Sequence, residues 1–389
     1  MDSVPVYKKL LEAGEKQKIW TQPDILDLND PVAESELRQR MALNKIHAVI
    51  DPIESISNDL FELRHPADRH DEHKRNLFIQ SMKDMGPSYG SWVHFPWNGN
   101  VVRYPEKSDH QRLRTFRNQH LIKTDEQESL LRTTVAVFGM SVGSNVVEQL
   151  AQGGIGGKYI LGDYDLLSPS NLNRVRSSMA MAGAPKTDIM GMRISEIDPY
   201  IEQVHFKSGL SEENVEMLVS QKPDIIFDEI DDFAAKALLR QIAIDMHTPL
   251  VMVTDVADRS IVDIERHDKK GSKPFNGRLS QKEYEMLLNG VSEQNNVKRM
   301  QSRLVGISNA STRLIQSIVD IDKNLAGLPQ LGTTAGMGGA LGAISAREIL
   351  LDNKLESGRY VFSAKDMFGL HASGTFADAI RAAHNFMTK

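Results

Sequence analysis

From Thr133 onward, short β-branched or apolar runs alternate with stretches whose apolar positions recur at helical spacing. Thr134–Phe138, Lys158–Leu161, Gln203–Phe206, Asp224–Phe227 and Leu250–Thr254 read as strands. Ser144–Gln152, Lys186–Ile197, Glu212–Ser220 and Ala234–Met246 read as the helices between them. Strand–helix alternation at this spacing requires crossover connections, so the pattern predicts an α/β fold with a doubly wound, mainly parallel sheet. Beyond Asp255 the pattern weakens. Asp268–Asn295 is polar and rich in Lys, Gly and Asn, either a long excursion or a mobile loop, and it is a candidate lid. Leu331–Leu351 then reads as a buried helix of small residues, and Arg359–Ala364 as a late strand.

Residues 1–110 read as a separate N-terminal extension of mixed α and β character, and residues 111–389 as the main domain. Tyr7–Gly14 and Ser35–Ile50 have helical patterning. Trp92–Trp97 and Val101–Tyr104 pair as a hairpin across Asn98-Gly99, a favoured tight-turn dipeptide. Gln111–Leu121 reads as helical, and a second helix starts at Thr124, with Glu126 and Gln127 completing a capping-box signature. His65, His70 and His73, mixed with Asp68, Asp71 and Glu72, are metal-ligand types, but their irregular, Pro-interrupted spacing reads as a solvated linker. Trp92 and Trp97 read as packing residues rather than a binding platform.

At 389 residues the chain exceeds the size at which a single core keeps growing. A net charge of -6 argues against nucleic-acid binding through bulk positive charge. There is no apolar run of about 18 residues and no export signal, so no membrane span is expected and the chain reads as cytoplasmic. The absence of cysteine excludes a thiolate nucleophile, a disulfide and a cysteine-held zinc within this sequence.

The chemistry concentrates at the strand ends. Val135–Phe138 runs into Gly139-Met140-Ser141-Val142-Gly143 and then a helix, a turn whose backbone N–H groups and helix dipole suit phosphate. Asp163 follows Gly139 by 24 residues, close to the Rossmann-like spacing at which a second-strand carboxylate meets a ribose, and Asp165 lies beside it. Arg174, Arg176 and Lys186 then arrive together, which favours a triphosphate over a pyrophosphate. Asp228, Glu229, Asp231 and Asp232 close a later strand with the carboxylates that magnesium uses beside phosphate. Blander readings stand beside these. The Gly turn also matches a hydrolase nucleophile elbow, with His205 or His247 as base, but that leaves the acid spacing and the Asn/Arg run unexplained. Arg174 and Arg176 could be solvated, and Asp231 and Asp232 could be helix caps.

Taken together, Arg114–Gln119, the Gly turn, Asp163-Tyr-Asp165, Ser170-Asn-Leu-Asn-Arg174, Gly183-Ala-Pro-Lys186 and Asp228–Asp232 resemble the ThiF/MoeB/HesA superfamily of ubiquitin-activating-type adenylyltransferases. The resemblance implies ATP- and magnesium-dependent adenylation of a carboxylate by a homodimer. It implies that Gly139, Ser141 and Gly143 form the nucleotide turn, that Asp163 and Asp165 lie at the ribose side, and that Asn171 and Arg174 hold the phosphates. Lys186 would stabilise the α-phosphate as pyrophosphate leaves, Asp231 would hold magnesium, and Arg117 would reach the neighbouring subunit's ATP. Two departures are visible. Ser141 and Val142 stand where relatives carry two glycines, and the missing cysteines remove both the structural zinc and the thioester step of many relatives. Direct capture of an acyl adenylate on a peptide or small-protein substrate follows, as in peptide modification or cyclisation for natural-product biosynthesis. The alternatives are a non-catalytic ThiF-like structural partner and an NAD-dependent oxidoreductase.

Overall fold

The computed structural model describes residues 19–290, 299–300, 303–304, 306 and 311–370. The helical expectation at Tyr7–Gly14 lies outside them. The chain divides into two compact units: residues up to Ile122 together with Gly191–Tyr200, and the remainder.

In the first unit, β1 (Asp24–Leu26), β2 (Ala48–Ile50), β3 (Ser91–Phe95) and β4 (Asn100–Tyr104) form a sheet in the order β1-β3-β4-β2. Helices α1 (Pro31–Ala42), α2 (Ile53–Arg64), α3 (Glu72–Asp84) and α4 (Lys107–Arg114) accompany it. Asp30 starts α1 by accepting from the Val32 N–H at 3.0 Å, with Pro31 at the first helical position. The helix read over Ser35–Ile50 is therefore corrected. It stops at Ala42, Asn44 turns the chain at φ 54°, and Ala48–Ile50 pairs as a strand with β4. The hairpin forms, but its loop spans four residues between Phe95 and Asn100, with Trp97 inside the loop. The stretch read as a solvated linker is also structured: Pro66–Asp68 makes a 3-10 turn, Asp71 caps α3, and the His65 ring packs against Phe61 and Phe78. The helix read over Gln111–Leu121 begins earlier, at Lys107, and gives way to a 3-10 turn at Phe116–Asn118. Trp92 is buried with Leu26, Ala33 and Val101, and Trp97 donates to Glu196 at 3.1 Å.

The second unit starts with α5 (Thr124–Leu130), whose N-cap is Lys123; its N–H donates to Glu126 at 2.8 Å. It continues through β5 (Thr134–Phe138), α6 (Gly143–Gln152), β6 (Lys158–Gly162), α7 (Lys186–Ile197, of which the part from Gly191 is counted with the first unit), β7 (Glu202–Phe206), α8 (Val215–Ser220), β8 (Ile225–Asp228), α9 (Phe233–Asp245) and β9 (Leu250–Val256). Then come β10 (Arg259–Glu265), α10 (Gln281–Leu288), α11 (Thr312–Asp320), α12 (Gly332–Leu350), β11 (Gly358–Ser363) and α13 (Ala364–Met367). Among the described residues its sheet has seven strands in the order β11-β10-β9-β8-β5-β6-β7. β5 to β9 are parallel; β10 returns antiparallel to β9, and β11 pairs antiparallel with β10 and so runs in the direction of the parallel strands. The expected doubly wound α/β sheet is present, and its strand order reverses between β5 and β8, where such sheets open a ligand crevice at their carboxyl edge.

Small residues let α12 lie against α6: a Cβ on Gly339 would come within 2.6 Å of the Asn145 backbone. The described part of the polar segment after Glu265 is a packed excursion. Phe275, Leu279, Tyr284 and Leu287 bury themselves against Ala237 of α9.

Beneath this excursion lies a buried ionic network. The Arg240 side chain is fully buried, donates to Asp228 at 2.5 Å and to Glu265 at 2.9 Å, and lies 3.7 Å from the Phe275 ring centroid. Removing the cation would strand two buried carboxylates, so Arg240→Ala should lower the unfolding free energy by about 3–5 kcal/mol in urea titration. A loss below about 1 kcal/mol would mean that Lys236 and His267 compensate the network alone.

Candidate functional site

The ends of β5, β6, β7 and β8 enclose a cleft of about 290 Å³ in the second unit, with Gly139, Ser141, Asp163, Lys186, Glu229 and Asp231 on its walls. Its floor is backbone. The Gly139 N–H donates to Gly162 O at 2.6 Å, and the Glu229 N–H donates to Phe138 O at 2.7 Å. Gly139 adopts φ 93°, and a Cβ there would overlap the Glu229 carbonyl, so glycine is required for both conformation and space.

Asp163 is fixed by two backbone donors: Met140 N–H to Oδ2 at 2.6 Å and Asp165 N–H to Oδ1 at 2.7 Å. Burial pushes its carboxyl above the ordinary range, while the charge of Lys186 pulls it back. Lys186, 5% exposed at the start of α7, donates to Asp165 Oδ2 at 2.7 Å and stands 3.9 Å from Asp163 Oδ2. Arg174 donates through Nε to Ser141 Oγ at 3.0 Å, and Asn145 holds the Arg174 carbonyl at 2.8 Å. The Asn171 side chain accepts from the Ser168 N–H at 3.1 Å, closing the 3-10 turn Pro169–Asn171.

The carboxylates after β8 separate into different roles. Asp228 is wholly buried between Lys236 and Arg240, and that salt-bridged position removes it from the expected magnesium cluster. Asp232 caps α9 by accepting from Ala235 N–H at 2.8 Å. Glu229 accepts from Val253 N–H at 2.9 Å, and burial raises its carboxyl well above the usual value. Asp231 remains exposed on the cleft wall. Among the described residues no group of three or more His, Asp or Glu side chains is placed to hold a metal. The site is no preformed cage, and a single exposed carboxylate fits a magnesium ion carried largely by water and phosphate oxygens.

The hydrolase alternative lacks its base. Ser141 Oγ accepts from Arg174, His205 lies between Asp188 and Gln203, and His247 is exposed. Arg117 belongs to the first unit, exposed, 5.6 Å from the Phe116 ring centroid, and is not among the cleft's lining residues. Sequence reading missed Ser208-Gly209-Leu210 after β7, which line the cleft, and Asp255 near the end of β9. Asp255 Oδ1 accepts from Gln330 at 3.4 Å, and among the described residues its buried Oδ2 has no hydrogen-bond partner; burial raises its carboxyl and the Arg174 charge lowers it. The available signal was position alone: an acid at the carboxyl end of a parallel strand.

Known proteins carry the same pattern. The ThiF family pattern matches residues 114–365, well over half of the chain and including every cleft residue named above. The chain belongs to the ThiF family. An uncharacterised protein of Mycobacterium tuberculosis is 34% identical over 73% of this chain and 39% of its own length. The tRNA threonylcarbamoyladenosine dehydratase of Bacillus subtilis is 32% identical over 37% of this chain and 57% of its own. The solved Escherichia coli tRNA N6-threonylcarbamoyladenosine dehydratase aligns with 63% of this chain and 97% of its own at 19% identity, TM-score 0.45. The chain thus spans 39% and 57% of the length of these two curated relatives.

Glu229 supplies a test of the cleft wall. A carboxyl whose folded pKa lies above its unfolded value leaves the native state holding more protons, so stability falls as pH rises from about 4.5. Glu229→Gln keeps an acceptor for Val253 N–H without the charge. Its stability relative to wild type should therefore increase as pH rises above about 4.5 in urea titrations, because only the wild type must release the buried proton or keep it against the solvent. A pH-independent difference would place Glu229 in a hydrated setting.

Proposed function

We propose that this ThiF-family chain is an ATP-dependent carboxylate adenylyltransferase acting on a peptide or small-protein carboxylate. The observation that carries this reading is the buried Lys186, held at a helix N-terminus against Asp165 and beside Asp163 at the glycine turn. A lysine so fixed suits a reaction whose main demand is neutralising phosphate charge.

Each Asp163 oxygen accepts one backbone N–H and keeps a lone pair for a ribose hydroxyl. Asn171 and Arg174 would bind the phosphates. A substrate carboxylate, already ionised at neutral pH, attacks the α-phosphorus; the bond to the β-phosphate breaks and pyrophosphate leaves with the electron pair, so no general base is needed. Lys186 steadies the growing negative charge. Magnesium, when bound, neutralises phosphate oxygens, and Asp231 would hold it. With no cysteine in the sequence, the acyl adenylate is captured directly rather than through a thioester on this chain.

Pyrophosphate exchange with a panel of short peptides bearing free C-terminal carboxylates tests the reading. Lys186→Ala should lower kcat by roughly 100- to 1,000-fold with a much smaller rise in the KM for ATP. Asp231→Ala should abolish the magnesium-dependent exchange while leaving the melting temperature unchanged. An effect of Lys186→Ala on KM alone would reduce that lysine to a binding role. Stabilisation of the wild type by NAD and not by ATP would favour an oxidoreductase instead.

The assembly is proposed as a homodimer in which Arg117 completes the partner's site. Mixing Arg117→Ala with Asp231→Ala subunits should restore exchange activity, because one site of each mixed dimer regains both groups. Absence of recovery after demonstrated subunit exchange would confine the site to a single chain.

A further inference from the structure

Arg174 has five N–H donors, and three are spent inside the protein: Nε on Ser141 Oγ at 3.0 Å, and Nη1 on Asn173 Oδ1 at 3.0 Å and on Ser170 O at 3.5 Å. Among the described residues Nη2 has no hydrogen-bond acceptor. The backbone beneath the arginine is held by side chains from the first turn of α6. Asn145, 2% exposed, grips the Arg174 carbonyl at 2.8 Å. Ser144, fully buried, donates to Ser141 O at 2.8 Å and accepts from Arg176 N–H at 3.3 Å. The glycine turn with the start of α6 and the arginine segment, some thirty residues apart in sequence, are thus joined by one charged contact and two part-buried ones, while Ser144 also ties the turn to itself.

We propose that Ser141 is a positioning residue: its hydroxyl fixes the Arg174 guanidinium before ligand arrives, so that the two Nη2 hydrogens are presented together to the polyphosphate of a bound nucleoside triphosphate. The proposal rests on the reading of the cleft as an ATP site. The physical gain is preorganisation. An arginine left free would lose the freedom of its long side chain on binding, whereas one already oriented by Ser141, Asn173 and Ser170 loses less per hydrogen bond formed. A glycine at position 141 could offer only backbone to this arginine. The hydroxyl therefore turns a point that is purely conformational in a glycine-only turn into one that also directs a charge.

The test is calorimetric titration of AMP, ADP and ATP into the full chain, without acyl substrate. Ser141→Ala should weaken ATP by about five- to ten-fold, the scale of one hydrogen bond, while changing AMP by less than about two-fold. Ser141→Thr, which keeps the hydroxyl, should restore ATP affinity. In an Arg174→Ala background Ser141→Ala should have no further effect, since the hydroxyl then has nothing to orient. Equal weakening of AMP and ATP would overturn the proposal in favour of a merely structural serine. Tighter ATP binding by Ser141→Ala would overturn it in the opposite sense, because the hydroxyl would then be holding the arginine away. A wild type that binds none of the three nucleotides overturns the ATP reading beneath it, a different failure from wild-type ATP binding that is indifferent to Ser141.

Discussion

At the end of β5 the backbone of three strands meets with no side chain between them: Gly139 N–H reaches Gly162 O, Glu229 N–H reaches Phe138 O, and the Glu229 carbonyl occupies the space of a Cβ on Gly139. Everything at the cleft is positioned from this contact. It brings Asp163 one residue past the end of β6 and lets its carboxylate accept from Met140 in the turn. It sets the direction in which the chain leaves β8, and so delivers Glu229 and Asp231 to the opposite wall. A side chain at position 139 would push β8 away from β5 at the point where the strand order reverses, and the crevice depends on that reversal.

Charge is divided along the same edge with little overlap of roles. Asp228 serves the interior, where Arg240 ties it to Glu265 and to the excursion through Phe275. Asp232 serves the helix that begins beside it, and Glu229 the neighbouring strand. The acids on the cleft wall that can meet a ligand include Asp163, pinned by backbone donors, and exposed Asp231. The cations sort likewise: Lys236 and Arg240 neutralise buried carboxylates, while Lys186 and Arg174 stand at the turn. An anion entering the cleft therefore meets Lys186 on its wall, with Arg174 held on the lining residue Ser141, both in positions set by folding.

The central strands were legible because each is a compact apolar run bounded by turn residues, and the helices between them because their lengths match crossovers. The turn, Asp163, Arg174 and Lys186 were legible as a sequence of local motifs. What escaped reading was non-local. The helix read through Ser35–Ile50 kept an apolar rhythm into Ala48–Ile50, and only the left-handed turn at Asn44 and pairing with β4 distinguish strand from helix there. β10 shows no turn signal of its own and exists by pairing along β9 and β11. The four acids from the last residue of β8 onward look equivalent in sequence; their partners, twelve residues on at Arg240 or twenty-four on at Val253, separate them.

The same asymmetry explains why the turn tolerates its departure from a glycine-rich pattern. Position 139 admits no side chain because strand backbone fills the space. Position 141 faces the cleft, where a side chain meets Arg174 rather than a strand. Position 143 starts α6, with Val137 and Glu229 side chains close to where a Cβ would stand. One position of the three is therefore fixed by backbone, one is restricted by neighbouring side chains, and one is open to chemistry. A hydroxyl at the open position adds a directed contact to the arginine without disturbing the backbone contact on which the cleft is built.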